Sequence, residues 1–155
     1  MIQISNVSVQ NIARAVYSAR NAMNSWYKSD SDITSNVLGE NDLNLAKKFI
    51  DKIITLRVFP DENGKTNLSL KDINGQIMCV SQFTLYADVA KGRRPSFVNA
   101  LAFDKASILY DEFCEELENQ FGKISRGQFG ADMKISFTND GPFTLMLDSK
   151  EMWGM

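Results

Sequence analysis

Between Asp104 and Phe121 the apolar residues Ala106, Leu109, Tyr110, Phe113, Leu117 and Phe121 recur mostly at steps of three and four. Only a helical period of 3.6 gathers such a set onto one face. Asp111, Glu112, Glu115, Glu116 and Glu118 fill the opposite face, which reads as a solvated surface rather than a metal site. A helix of this kind must bury its apolar side against another layer, and the rest of the chain has to supply one. A second stripe, Leu43, Ala46, Phe49, Ile50 and Ile53, predicts a helix over about Asn41–Ile54, with Lys47, Lys48 and Lys52 turned elsewhere. A third set, Ile12, Val16, Ala19, Met23 and Trp26, predicts a helix from Ser8, its N-cap, to Trp26.

The segments between and after these helices have the period of strands. Thr55–Phe59 and Thr66–Leu70 flank PDENGK, in which Asn63-Gly64 is expected to supply the left-handed residues of a hairpin. A turn at Asp72–Gly75 leads into QIMCVSQFTLYAD, the most β-like run of the chain. Near the end, Asp132–Phe137 and Phe143–Asp148 alternate apolar and polar residues on either side of TNDGPFT, as the arms of a hairpin would. The fold class expected is α/β in the α+β sense: a mixed or antiparallel sheet, or partial barrel, with packed helices. With 155 residues and 44% hydrophobic content, one core and one domain, 1–155, are expected. The polar stretch Lys28–Asn41, containing Gly39, reads as a loop.

The chain contains no histidine, which removes Ser-His-Asp and Cys-His catalysis together with the commonest metal ligand. A net charge of −2 argues against broad duplex-DNA binding. Cys79 and Cys114 lie in apolar segments without a CxxC pair, as reduced buried thiols do. No apolar run is long enough to span a membrane, and the first thirty residues lack the pattern of a secretory leader. A cytoplasmic protein without metal or cofactor is the expectation.

Three segments could carry chemistry. In QIMCVSQFT, strand alternation would turn Ser81 and Phe83 to one face and Gln82 and Thr84 to the other. Ser81 and Thr84 can share a pocket only if the strand bulges or ends near Gln82, which would also release backbone N–H groups toward a ligand. KGRRPSF gathers Lys91, Arg93 and Arg94 around Gly92, enough charge for one or two phosphates, although on charge alone a solvated loop is the favoured reading. GQFGADM, Gly127–Met133, has two glycines where another backbone or a ligand could approach closely. The opening of the last arm is odd, because Pro142 removes a donor where pairing should begin.

Together, SQFTLYAD, KGRRPSF, GQFGADM and NDGPFTLMLDS, in this order and spacing, resemble the D-aminoacyl-tRNA deacylase family, and DENGKTNLSLKD is similar to that family's hairpin. The likeness covers about Leu43–Ser149. It implies a homodimeric deacylase-like fold with a core over 41–149, and hydrolysis of the ester joining a D-amino acid, or mischarged glycine, to the terminal adenosine of tRNA. Carried over by residue, it implies that Ser81, Gln82, Phe83 and Thr84 line the catalytic pocket, with N–H groups near Gln82 and Phe83 facing the developing oxyanion. Gly130, Ala131 and Met133 match the segment beside the adenine. Gly141-Pro142, joined by a cis bond, would project into the partner's pocket and screen chirality by exclusion. With no base to activate Thr84, the family's scheme, in which the ribose 2′-hydroxyl positions or activates water, is preferred.

Residues 1–40 depart from the family. MIQISNVSV faintly echoes a first strand that normally carries a Gln-Arg-Val-like segment, but the arginine is missing, and Arg14 and Arg20 fall within the expected first helix. The alternative this departure raises is a catalytically impaired homologue that binds a tRNA or nucleotide end without hydrolysis.

Overall fold

The computed structural model describes residues 2–6, 14–16, 40–98, 100–137 and 140–154, with backbone alone at 2–6, 14–16, 40–42, 140–142 and 150. Short strands β1 (Ile2–Asn6) and β2 (Arg14–Val16) precede helix α1 (Glu40–Thr55) and the hairpin β3 (Arg57–Pro60) and β4 (Thr66–Ser69). Then follow β5 (Met78–Cys79), a 3-10 turn (Phe83–Tyr86), helix α2 (Phe103–Phe121), β6 (Ser125–Arg126), β7 (Asp140–Leu145) and helix α3 (Ser149–Trp153). The mixed architecture agrees with the expected class: β2-β1-β7 form an antiparallel sheet, β3-β4 an antiparallel pair and β5-β6 a parallel pair.

The two strongest stripes form as expected and pack against each other. Leu45, Ala46, Phe49, Ile50 and Ile53 of α1 share one buried cluster with Tyr110, Phe113, Cys114 and Leu117 of α2, joined by Val58, Phe59, Ile77 and Cys79 from the strands. In β3, neighbouring Val58 and Phe59 are both buried, because register shifts on either side of Phe59 break the alternation. The connecting turn is built on Asp61, whose Oδ1 accepts the N–H groups of Asn63 at 2.9 Å and Lys65 at 3.0 Å. Only Gly64, at φ 72°, is left-handed there. Asn63 is not, since the carboxylate does the turning that a two-residue hairpin would ask of both residues. At the next turn the Ser69 hydroxyl and N–H both donate to Asp72 Oδ2, at 2.6 and 2.8 Å. These bonds hold the Asp72 carboxyl below its ordinary pKa.

Four expectations are corrected. First, Arg14–Val16, assigned to a helix, is a strand paired antiparallel with β1, Ser5 opposite Arg14. Pairing with β1, which is itself held by the distant β7, outweighs a local period that β-branched Val16 supports only weakly. The remainder of the expected Ser8–Trp26 helix, and residues 28–39 of the expected loop, lie outside the described residues. Second, the long strand from Gln76 shrinks to Met78–Cys79, whose only described ladder partner is the equally short β6.

Third, Asp132–Phe137 has no ladder, and β7 pairs with β1 instead. Among the described residues the first arm of the expected hairpin is therefore in no ladder, and the last strand lies beside β1 in the amino-terminal sheet. Ile4 faces Phe143 and Asn6 faces Asp140, so two steps on β1 meet three on β7, and Gly141-Pro142 fall in that irregularity. The missing Pro142 donor costs little where the ladder is already broken. Thr138 and Asn139 lie outside the described residues. Fourth, α3 was not anticipated. The Trp153 ring meets Phe49 edge-on at 4.9 Å, so the carboxyl-terminal end closes the core beside α1.

Candidate functional site

The parallel pair β5-β6 brings two of the three chemistry-bearing segments together. The Ser125 N–H donates to Ile77 O and the Gly127 N–H to Cys79 O, each at 2.8 Å. Beyond Cys79 and Gly127 the strands end at the same side, and Ser81–Thr84 and Gly127–Met133 leave the pair as neighbours. Met133 folds back over this junction: its sulfur lies 3.3 Å from the Gln128 nitrogen, and it shares the space beside Gly127 with Val80.

On the first segment the conditional expectation holds, because the strand ends before Gln82. Gln82 has extended φ −148° and ψ 90°, and the chain then turns into the 3-10 helix at Phe83. The N–H groups at the start of that turn have no intrahelical acceptor and remain available to a ligand. Ser81 is half-buried, whereas Gln82, Phe83 and Thr84 are exposed. The Gln82 side-chain amide donates to Thr84 Oγ1 at 2.5 Å. An amide donor occupies the hydroxyl oxygen without accepting its proton, so it does not activate Thr84 as a nucleophile.

The second segment is a tight turn, the Ala131 N–H donating to Gln128 O at 3.2 Å. Gly130 sits at φ 70°, and a Cβ there would lie 2.6 Å from the Phe103 ring. Two requirements thus coincide at Gly130: a left-handed backbone and room for an aromatic neighbour. Phe103 meets Phe129 at 5.1 Å, and Phe129 meets Tyr110 at 5.8 Å, so Phe129 bridges the exposed first residue of α2 to its buried face. Gly130 is exposed, while Ala131 and Met133 are half-buried.

Lys91, Arg93 and Arg94 are exposed on a loop closed at its base by reciprocal Asp88–Ser96 backbone bonds of 2.8 and 2.9 Å. Phe97, just after that base, packs edge-on against Phe83 at 5.0 Å. The basic loop is thereby tied to the Ser81–Thr84 segment. Gly141 and Pro142 belong to β7 in the amino-terminal sheet; only this strand membership is described for them, and the expected cis bond between them lies outside it. The same chain's Ser81–Thr84 and Gly127–Met133 are brought together; Gly141-Pro142 is not shown to join them.

Cys79 and Cys114 are free and buried, as expected. Hydrogen bonding to Cys114 and burial hold the Cys79 thiol well above its ordinary pKa, so it is protonated and unsuited to nucleophilic attack. Among the described residues no group of three or more acidic, cysteine or histidine side chains could hold a metal, and no helix is long and apolar enough to cross a membrane. Tyr110 is a site residue that the sequence pattern presents only as core filling on the α2 stripe. The signal was a tyrosine hydroxyl inside an apolar stripe, which needs an acceptor once buried.

A family model described as D-Tyr-tRNA(Tyr) deacylase matches residues 8–148. A D-aminoacyl-tRNA deacylase of Lactobacillus acidophilus is 56% identical over 108 residues, 70% of this chain and 74% of that protein. One of Clostridium botulinum is 53% identical over 112 residues, 72% of this chain and 73% of that protein. Among solved structures, a c-Myc DNA Unwinding Element Binding Protein superposes with TM-score 0.68 at 28% identity, covering 96% of each chain. A probable eukaryotic D-amino acid tRNA deacylase superposes with TM-score 0.65 at 16% identity over 91% of this chain and 93% of the other, a likeness of fold.

Proposed function

Because the chain belongs to the D-Tyr-tRNA(Tyr) deacylase family, we propose that it hydrolyses the ester of D-aminoacyl-tRNA, releasing free D-amino acid and tRNA, as a cytoplasmic homodimer. The observation that carries this reading is the shared exit of Ser81–Thr84 and Gly127–Met133 from the β5-β6 pair, with the strand broken where N–H groups are needed. The terminal adenosine would lie against Gly130, Ala131 and Met133. The ester carbonyl would point to the N–H groups of Gln82 and Phe83, which stabilise the oxyanion formed when water attacks. The ribose 2′-hydroxyl positions that water, since the chain offers no histidine to do so.

Chirality is screened by exclusion. Gly141 and cis-Pro142 of the partner subunit would close the side of the pocket that an L side chain requires, without contacting a D side chain. Glycine carries hydrogen on both sides and passes the same screen, so mischarged glycyl-tRNA is a substrate too. Two features support a second copy at this edge. The bulge on β7 leaves Gly141-Pro142 out of register with β1, and Ile135, Phe143 and Met146 on the flanking segments are 41%, 41% and 49% exposed. The solved neighbour named as a DNA unwinding element binding protein does not alter this reading, since a net charge of −2 is poorly suited to general duplex binding.

Thr84→Ala is expected to lower kcat by less than about tenfold, the scale of losing one oriented hydroxyl. Replacing the terminal adenosine by its 2′-deoxy form should cost about 100-fold or more, as positioned general catalysis does. A collapse with Thr84→Ala and indifference to the 2′-hydroxyl would make Thr84 the nucleophile. At the basic loop, replacing Lys91, Arg93 and Arg94 together by alanine should raise KM and leave kcat unchanged. The slope of log KM against log salt should fall by about one, as expected when one or two phosphate contacts to single-stranded RNA are lost. An unchanged slope would return this loop to the solvent.

A further inference from the structure

We propose that Tyr110 is a positioning residue for deacylation, its hydroxyl tying together the roots of the two segments that form the pocket. The reaction it serves rests on the function proposed above, whereas the tie itself does not. The hydroxyl is shared between two acceptors, Cys79 O at 2.9 Å and Gly127 O at 2.8 Å. Cys79 is the last residue of β5 before Val80-Ser81, and Gly127 opens GQFGADM. The Gly127 N–H also reaches Cys79 O, so three groups meet where the segments diverge.

The ring completes the support. It lies 5.8 Å from Phe129, which meets Phe103, the aromatic side chain beside Gly130. Tyr110 is only 6% exposed and acts through the backbone it holds. A phenylalanine would fill the same stripe on α2, so helix packing alone gives no reason for a hydroxyl here. Burial raises the phenol well above its ordinary pKa, which keeps the donor protonated throughout the working range of the enzyme. Without the hydroxyl, Cys79 O retains the Gly127 N–H while Gly127 O loses its phenolic donor. The adenosine-side segment then becomes free to drift from the Gln82 and Phe83 N–H groups. A misplacement of about 1 Å at this distance from the chemistry can cost on the order of 100-fold in rate.

The test is Tyr110→Phe, with Ser69→Ala as a control that loses a buried hydroxyl and its two bonds with Asp72, one donated and one accepted, at the turn after β4. For Tyr110→Phe, kcat on a D-aminoacyl-tRNA should fall about 10- to 100-fold with KM within about twofold. Backbone amide resonances over Ser81–Thr84 and Gly127–Ala131 should shift, while those of the β3-β4 hairpin stay in place. The control should keep its kcat. Retention of kcat within about twofold by Tyr110→Phe, or an equal loss in the control, overturns the proposal. If the unmodified chain hydrolyses no aminoacyl-tRNA, the functional reading fails and the amide shifts alone decide the tie, their absence refuting it. Should Tyr110→Phe not fold, the phenolic proton of Tyr110 in the unmodified chain decides: held between two buried carbonyls, it should exchange slowly enough with water to give a resolved resonance. A Tyr110 hydroxyl proton exchanging as fast as that of a solvent-exposed tyrosine would refute the tie.

Discussion

Phe83→Pro is expected to lower kcat for D-aminoacyl-tRNA by about 100- to 1,000-fold, the usual cost of deleting one oxyanion donor. The substitution removes a single N–H, and the local backbone can accept it. Phe83 is the first residue of the 3-10 turn, a position whose N–H has no intrahelical acceptor and whose φ suits proline. The preceding Gln82, at φ −148° and ψ 90°, already lies in the extended region that a following proline demands. Phe83→Ala provides the comparison: it also loses the ring contact with Phe97 but keeps the N–H, and should retain activity within about tenfold. Equal losses in the two variants would assign the effect to the aromatic pair and remove the backbone donor from the mechanism.

Phe49→Ala should destabilise the fold by about 3–5 kcal/mol, the range for emptying a large aromatic site in a core. Its melting temperature should fall by roughly 10 °C or more, given the entropy of unfolding of a chain this size. Phe49 is 1% exposed and stands between the α1–α2 interface and Trp153 of α3. Its loss therefore opens a cavity and unseats the carboxyl-terminal helix together. Calorimetry of the variant beside Trp153→Ala separates these effects: Trp153→Ala should cost less, because that ring remains partly exposed. A Phe49→Ala shift below about 3 °C would mean that the core does not close here.

What could be read from the sequence follows the range of the interactions involved. The α2 stripe is a local property, repeated over five turns, and the helix begins within a residue of its expected start. The Asp61-Glu62-Asn63-Gly64 turn is equally local, and only its geometry differed, because a carboxylate replaced one left-handed residue. The amino-terminal sheet is different. Arg14–Val16 becomes a strand through β1, and β1 is fixed by β7 more than a hundred residues later, information that no window around Val16 contains. The same cause explains the hairpin that was expected around TNDGPFT: alternation found Phe143–Leu145 of β7 but left Asp140–Pro142 in the turn, and it could not say which strand the segment would join.

The site divides along the same line. SQFT and GQFGADM were visible as segments, and a strand ending before Gln82 was recognised as the condition for Ser81 and Thr84 to act together. Their adjacency was not visible, since it comes from a parallel pairing of two residues with two, Met78 with Ser125 and Cys79 with Arg126. Tyr110 was hidden for a different reason. Its ring obeys the helical period so well that the hydroxyl, the part with consequences for the site, carried no separate pattern.

Chirality-selective deacylation is read most directly as release of amino acid from matched D- and L-aminoacyl-tRNAs by the purified chain. Rapid release is expected from the D-aminoacyl and glycyl substrates, with the L-aminoacyl ester surviving at its uncatalysed rate. Equal release from both enantiomers would contradict exclusion by Gly141-Pro142, and binding of either substrate without release would contradict the enzyme itself.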